Sequence, residues 1–214
     1  MPRGPMHGAR VVRQRRPGLA HPRHEPLQRG APGDSIDYIV LEWAEHKATG
    51  EPFAQLLSLV KEGQNPRALF IGCSDSRVIP DLIIQSNPGD LFVIRNVGNF
   101  VAPYKPDEDF HSTAAGIEYA VGVLEVSEII ICGHSHCGAI AALYKTSCDT
   151  SMVHTAKWLT LGEKAKSMAM VAIGERASQE ELLRATEHLS IVTQIENLLT
   201  YPYVRQRVEE DKLF

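Results

Sequence analysis

Three short apolar runs recur along the middle of the chain, each bounded by polar or turn-forming residues. They are Ala68–Ile71, Leu91–Ile94 and 128–132. Their length and their β-branched and aromatic content predict buried strands rather than helices. Because apolar residues at helical spacing separate them, the pattern predicts an α/β fold, with a mostly parallel central β-sheet flanked by helices.

Helical spacing and turn signals predict the helices around these strands. Two helices are expected before the first strand, one capped by Asp34 or Ser35 and one that begins at about Pro52. A short helix should begin at Pro80, and a longer one should run from Thr113 to about Leu124 with Ser112 as its cap. Another should follow the turn at His134–Cys137 and end at about Tyr144. A long helix follows, because Ser178 and Glu181 match a capping box, and it should end near Tyr201. Its apolar residues are expected to face inward: Leu182, Leu183, Leu189, Val192, Ile195 and Leu199.

The first 33 residues differ in composition from the rest. Residues 1–33 hold seven Arg, six of the 13 Pro and one acidic residue, Glu25, with almost no periodic apolar pattern. Such a segment cannot bury enough surface to offset its ordering entropy, so we expect a disordered N-terminal extension. Residues 34–214 are expected to form the domain that carries the chemistry.

Charge and cysteine content narrow the function classes. Residues 34–214 carry an excess of acidic side chains, which argues against nucleic acid as a partner. No apolar run approaches the roughly 20 residues of a membrane span. Four cysteines without a secretory signal indicate metal binding or plain burial rather than a disulfide framework. We therefore expect a cytoplasmic protein without nucleic-acid or membrane partners.

Chemistry-bearing side chains follow two of the predicted strands. Cys73, Asp75 and Arg77 come after the first strand, and His134 and Cys137 come after the strand at 128–132. Ligands gather beyond the carboxyl ends of parallel strands, so these residues should meet. Two thiolates and one imidazole form a zinc set of the Cys2His kind, which leaves a fourth position for water.

The spacing within each motif supports this interpretation. In an extended backbone the alternation of Cys73, Asp75 and Arg77 puts all three side chains on one side. An arginine beside a carboxylate keeps that carboxylate ionised and oriented. His134 and Cys137 lie one helical turn apart. A lone Cys or His is usually structural, as we expect for Cys132 in its strand and Cys148 in a loop, but five such residues at two strand ends indicate function.

At this point the chain resembles the β-class carbonic anhydrases. The matching segments are 64–67, 73–77, 88–96, 112–119 and 132–138. The resemblance implies an α/β fold special to that class, a zinc ion, and the reversible hydration of carbon dioxide to bicarbonate and a proton. It also implies dimers or larger even assemblies, in which two subunits line each active site.

The resemblance also implies residue roles. Cys73, His134 and Cys137 correspond to the zinc ligands, and Asp75 and Arg77 to a catalytic dyad. Asp75 is a further metal candidate, because its counterpart moves onto zinc in inactive members. Gln64 corresponds to a glutamine that donates a hydrogen bond to substrate across the subunit interface.

Three departures from the family pattern bear on these expectations. Members with a closed, bicarbonate-regulated site carry Trp where this chain has Phe70, so an open, water-bearing zinc is expected here. The chain ends at 211–214, where the family's last strand begins, so we expect an incomplete edge strand. The Arg- and Pro-rich start has no counterpart in the family.

Two rival functions stay open from the sequence. One is a related zinc hydrolase of carbon disulfide or carbonyl sulfide, which would share the fold and the ligand set. The other is a catalytically silent zinc scaffold or fragment, for which an acid–base dyad such as Asp75 and Arg77 would have no use.

Overall fold

The computed structural model describes residues 59–107, 109–145, 151–174 and 177–214. The predicted extension at 1–33, the helix after Asp34 or Ser35 and the loop position of Cys148 therefore lie outside the described residues. Of the helix predicted from Pro52, residues 59–62 are described and are helical.

A three-stranded parallel sheet forms the centre of the described fold. Its strands are β1 (Ala68–Cys73), β2 (Leu91–Asn96) and β3 (Glu128–Cys132), in the order β2-β1-β3. Ala68 pairs with Leu91 on one side and with Glu128 on the other, so the strands end at the same edge. All six residues of β1 are buried, as expected for a strand covered on both faces. The three predicted strands are confirmed, and β1 and β2 each run two residues further than predicted.

Helices connect these strands and follow the last of them. The described helices are α1 (Pro80–Ile84), α2 (Ser112–Glu118), α3 (Gly138–Ala142), α4 (Val153–Leu159), α5 (Glu163–Ile173), α6 (Gln179–Leu198) and α7 (Pro202–Glu209). A 3-10 turn spans Val97–Asn99, and a π-helical turn, Tyr119–Val123, extends α2. None of the described helices combines the length and the apolarity needed to cross a bilayer.

Two predictions about helix caps had different outcomes. The capping box of α6 is confirmed, because the Glu181 amide donates to Ser178 Oγ and the Ser178 amide donates to the Glu181 carboxylate. The cap of α2 was predicted wrongly. That helix begins at Ser112 itself, and His111 occupies the cap position without a side-chain hydrogen bond. Helix α7, which begins at Pro202, was not predicted.

The inward face of α6 is polar rather than apolar. Val192, Ile195 and Leu199 are 47%, 45% and 36% exposed, so their predicted inward orientation is wrong. The buried positions of this helix are Thr186, Glu187, Ser190, Thr193, Gln194 and Leu198. Part of the reason is that Glu187 and Gln194 on this face bind backbone groups of neighbouring loops, while Thr186 and Thr193 donate to carbonyls of α6 itself.

Backbone groups of the loop after β2 show this pairing directly. The Val101 amide donates to Gln194 Oε1 at 2.8 Å, and Asn197 Nδ2 donates to the Val101 carbonyl at 2.8 Å. Polar side chains on α6 thus serve as hydrogen-bond partners for loop backbone, a requirement that an apolar periodicity does not reveal.

Two apolar clusters flank the sheet. One contains Leu69 and Ile71 of β1 together with α2 and the buried Tyr201 and Val204. The other surrounds the carboxyl end of β1 and contains both Cys73 and Cys137. Beside β3, the Phe214 amide donates to the Ser127 carbonyl and the Phe214 carbonyl accepts from the Ile129 amide, so the last residue lies along that strand.

Candidate metal centre

The ligand atoms of Cys73, His134 and Cys137 all lie within 4.8 Å of one another. Cys73 ends β1, and the other two residues occupy the loop between β3 and α3. The two sulfurs belong to side chains that are buried, with the cysteines 5% and 3% exposed. The predicted convergence is observed because β1 and β3 are parallel neighbours that end at one edge.

The imidazole of His134 is oriented as a metal ligand would be. Its Nδ1 lies 2.9 Å from the Ser135 carbonyl, which can only accept, so Nδ1 carries the proton. Nε2 then carries a free lone pair, and this atom is buried without a hydrogen-bond partner among the described residues. Metal-bound histidines typically use the second ring nitrogen in this way.

The two thiols also fit a cation. The amides of Asp75 and Gly98 approach Cys73 Sγ at 3.5 and 3.4 Å. Burial raises the pKa of Cys137 from its ordinary 9.0 to about 11, although backbone amides of α3 oppose that rise. A cation between the sulfurs would replace the protons, since metal ligation requires thiolates. The residues present therefore fit zinc, for which two thiolates and one imidazole are a known set.

Asp75 stands beside this set and is held by Arg77. Arg77 Nε donates to Asp75 Oδ1 at 2.9 Å, and Nη2 donates to Oδ2 at 2.8 Å. These bonds, with a third from the Arg77 amide, hold the pKa of Asp75 well below its usual range. Asp75 Oδ2 lies 4.0 Å from His134 Nε2. The carboxylate is thus ionised and adjacent to the three ligand atoms, with its two oxygens bound to arginine.

Arginines also brace the loop that carries Asp75. Arg95, in β2, donates from Nε to the Cys73 carbonyl at 3.0 Å and from Nη2 to the Asp75 carbonyl at 2.7 Å. Arg77 Nη2 donates to the His136 carbonyl at 3.0 Å and so joins the two ligand loops. Sequence reasoning missed Arg95, although its place at the end of a predicted strand was an available signal.

A second missed residue is Glu187, a buried acidic side chain in α6. Its Oε1 accepts from the Cys137 amide at 3.0 Å, and its Oε2 accepts from Arg184 Nη1 at 3.1 Å. No local pattern marks it, because it lies 50 positions from the residue it contacts.

Gly98 permits a close approach between the turn after β2 and helix α3. Its φ is +81°, and a Cβ there would lie 2.9 Å from the Cβ of Ala139 and 2.9 Å from the Phe100 ring. A side chain at this position would therefore push the turn away from the metal centre and from Cys73, whose sulfur the Gly98 amide approaches.

The remaining candidates are not part of the group formed by Cys73, His134 and Cys137. Gln64 is exposed on the segment that leads into β1, and His136 is exposed in its loop. Cys132 is partly buried in β3, and burial raises its thiol pKa. Metal binding by Asp75, and the role of Gln64, stay predictions.

Comparison with known families agrees with this arrangement. A family model described as carbonic anhydrase matches residues 68–214. The carbonic anhydrase of Pseudomonas aeruginosa is 42% identical over 160 residues, which cover 75% of this chain and 71% of that protein. The carbonic anhydrase of Synechocystis is 41% identical over 159 residues, which cover 74% of this chain and 57% of that protein. The chain thus spans less than two thirds of the length of this second relative.

Solved structures show the same fold. The β-carbonic anhydrase CcaA superimposes with a TM-score of 0.72 at 36% identity, covering 85% of this chain and 87% of that one. One of two tetrameric β-carbonic anhydrases from Sordaria macrospora gives a TM-score of 0.63 at 32% identity, covering 84% and 88%.

Proposed function

We propose a zinc-dependent reaction for this chain, which belongs to the β-class carbonic anhydrases: the reversible hydration of carbon dioxide to bicarbonate and a proton. One observation carries the proposal. The buried Cys73 and Cys137 and the partly buried His134, whose Nε2 has no hydrogen-bond partner among the described residues, lie beside a carboxylate that two hydrogen bonds from the Arg77 side chain hold ionised.

In this proposal Cys73, His134 and Cys137 hold the zinc ion. Bound zinc would act as a Lewis acid that activates water near neutral pH; in a carbonic anhydrase with three histidine ligands, the pKa of the zinc-bound water is about 7. Two thiolates donate more charge than imidazoles do, so we expect a higher pKa here.

Asp75 is the proposed hydrogen-bond acceptor for the attacking water. An ionised carboxylate can only accept, so a proton of the water points toward Asp75 and an oxygen lone pair points toward the carbon of the substrate. Arg77 keeps the carboxylate in this state and in this place. Because Arg77 binds both oxygens of Asp75, we propose that the fourth zinc position is open to water rather than filled by Asp75.

Gln64 is proposed to act in an assembly of at least two copies. Its exposure on the segment before β1 leaves it accessible to a second copy, where it would donate a hydrogen bond to the substrate. The relatives from Sordaria macrospora are described as tetrameric. We therefore propose a homodimer or homotetramer, which light scattering would measure. The three cysteines of the described residues are free, which fits a cytoplasmic location.

A stopped-flow assay of carbon dioxide hydration tests the proposal. We expect rapid turnover in the zinc-loaded protein, loss of turnover after chelation and recovery on adding zinc. Full activity in metal-free protein would contradict it. Parallel assays with carbonyl sulfide and carbon disulfide distinguish the related hydrolase, and stoichiometric zinc without any turnover would identify a silent scaffold.

A further inference from the structure

A buried carboxylate outside the proposed catalytic set binds the backbone of a proposed metal ligand. Glu187 is 8% exposed and lies in α6, far along the chain from both ligand loops. Burying a charged carboxylate is costly unless it is paired. Both of its oxygens are paired here, one with the Cys137 amide and one with Arg184.

The amide that Glu187 binds has no partner within helix α3. Cys137 occupies the position before the first helical residue, with extended angles of φ −68° and ψ 122°. Amides at a helix start lack intrahelical acceptors, so they need a partner from outside the helix when they are buried. Glu187 Oε1 does so at 3.0 Å.

The other end of the same peptide group is also held. The carbonyl of His136 accepts a hydrogen bond from Arg77 Nη2 at 3.0 Å, while the amide of Cys137 donates to Glu187. The peptide between these two residues is thus fixed between a cation and an anion. His136 has a φ of +55°, which a residue with a side chain adopts only when its surroundings hold it there.

We propose that Glu187 is a positioning residue for the metal centre. With Arg77 it fixes the His136–Cys137 peptide, and that peptide sets the direction in which Cys137 Sγ points. Because Arg77 also binds Asp75, the peptide keeps the ligand loop in register with the dyad. This inference rests on the proposed role of Cys137 as a zinc ligand. Glu187 itself touches neither metal nor substrate, so it is not a catalytic residue.

Arg184 completes the support from the solvent side. Its side chain is 43% exposed, and that of Glu187 is 7% exposed, so the pair runs from the surface into the interior. Arg184 therefore holds the carboxylate in place without reaching the metal centre itself. Removing it should have a smaller effect than removing Glu187.

The test measures zinc affinity by competition with a chromogenic chelator, and the visible spectrum of the cobalt-substituted protein. Losing a group that orients a metal ligand costs about 10–100-fold in metal affinity. We expect Glu187→Ala to show that loss, with altered thiolate-to-cobalt bands. Glu187→Gln keeps an oxygen for the Cys137 amide and should recover most of the affinity. Arg184→Met should weaken zinc binding several-fold.

Ser178→Ala is the matched control on the same helix. It removes the cap of α6 and should lower helix stability without changing zinc affinity or the cobalt bands. Wild-type affinity and spectrum in folded Glu187→Ala would overturn the proposal. Should that variant fail to fold, Arg184→Met decides: a several-fold loss supports the proposal, and unchanged affinity and spectrum overturn it. None of these readouts needs carbon dioxide turnover, so a failure of the positioning role of Glu187 can be distinguished from a failure of the proposed function.

Discussion

The two loops that carry the proposed metal ligands meet at one edge of the sheet but are held by different parts of the chain. The loop after β1 is held by its neighbour in the sheet: the Ser74 amide donates to the Asn96 carbonyl at 2.7 Å, and Arg95 binds two further carbonyls. The loop after β3 is held by Glu187 from α6.

One loop is therefore supported by the adjacent strand of the sheet, and the other by a helix that lies far along the chain. The first loop gains its partners as soon as β1 and β2 pair, because those partners lie on β2 itself. The second loop also binds Arg77 of the first loop through the His136 carbonyl, but its Cys137 amide gains a partner only when α6 docks. Segments with few local contacts open more readily than strands in the core. We therefore expect the loop after β3 to depend more on bound metal than the loop after β1 does.

The largest expected effect comes from removing a proposed ligand in either loop. Both changes should abolish zinc binding, so the two loops should no longer differ in their dependence on metal. Cys73→Ser and Cys137→Ser should each reduce bound zinc to a small fraction of one ion per chain, since each removes a thiolate from a three-ligand set. Native mass spectrometry measures the stoichiometry. The matched control is Cys132→Ser, outside the set, which should retain zinc. Stoichiometric zinc in Cys137→Ser would contradict the ligand assignment.

A smaller effect, confined to chemistry, is expected in the first loop. Asp75→Asn should keep zinc and lower kcat by about 10²-fold or more, because the amide is no longer an ionised acceptor for the attacking water. Stopped-flow kinetics with zinc analysis of the same sample measures both. Asp81→Asn alters a carboxylate in α1 that accepts a hydrogen bond from Ser86 Oγ, and it should leave both bound zinc and kcat unchanged. Full activity in Asp75→Asn would refute the role of the dyad.

Arg95→Met sharpens the comparison by removing the support that comes from the sheet. The Cys73 and Asp75 carbonyls would lose their partners, and we expect about a tenfold fall in zinc affinity and in kcat together. Arg67→Met is the control, because among the described residues the Arg67 side chain makes only an exposed ion pair with Glu128 of β3. If Arg95→Met matches wild type while Glu187→Ala does not, support from the sheet is dispensable.

The smallest effect is expected from Ser178→Ala, which weakens α6 without touching a loop. Loss of the cap should lower the free energy of unfolding by about 1 kcal/mol. The Ser178 hydrogen bonds lower the pKa of Glu181, so the part of the cap's stability that comes from the Glu181 carboxylate is present above the ordinary value near 4.5 and is lost as pH falls below it. Denaturant unfolding at pH 7 and pH 3 measures this. An equal difference between variant and wild type at both pH values would contradict it.

Features that depend on neighbouring residues in the chain could be predicted, whereas features that depend on contacts between distant residues could not. The strands β1 and β2 were identified from local apolar runs, and the meeting of Cys73 with His134 followed from parallel pairing. The predicted inward positions Val192 and Ile195 are exposed, because the packed face of α6 runs instead through positions such as Ser190, Thr193 and Gln194. Nothing within one turn of those residues indicates what they will pack against.

The amino-acid sequence alone determined the alternation of strands and helices, the family and the five side chains at the two strand ends. These depend on periodicity and on short spacings, which are local properties. Only the tertiary structure decided that Arg95 binds the Cys73 and Asp75 carbonyls and that Glu187 binds the Cys137 amide. Those contacts join residues about 20 to 50 positions apart, and buried backbone groups take whichever partner the packing brings to them.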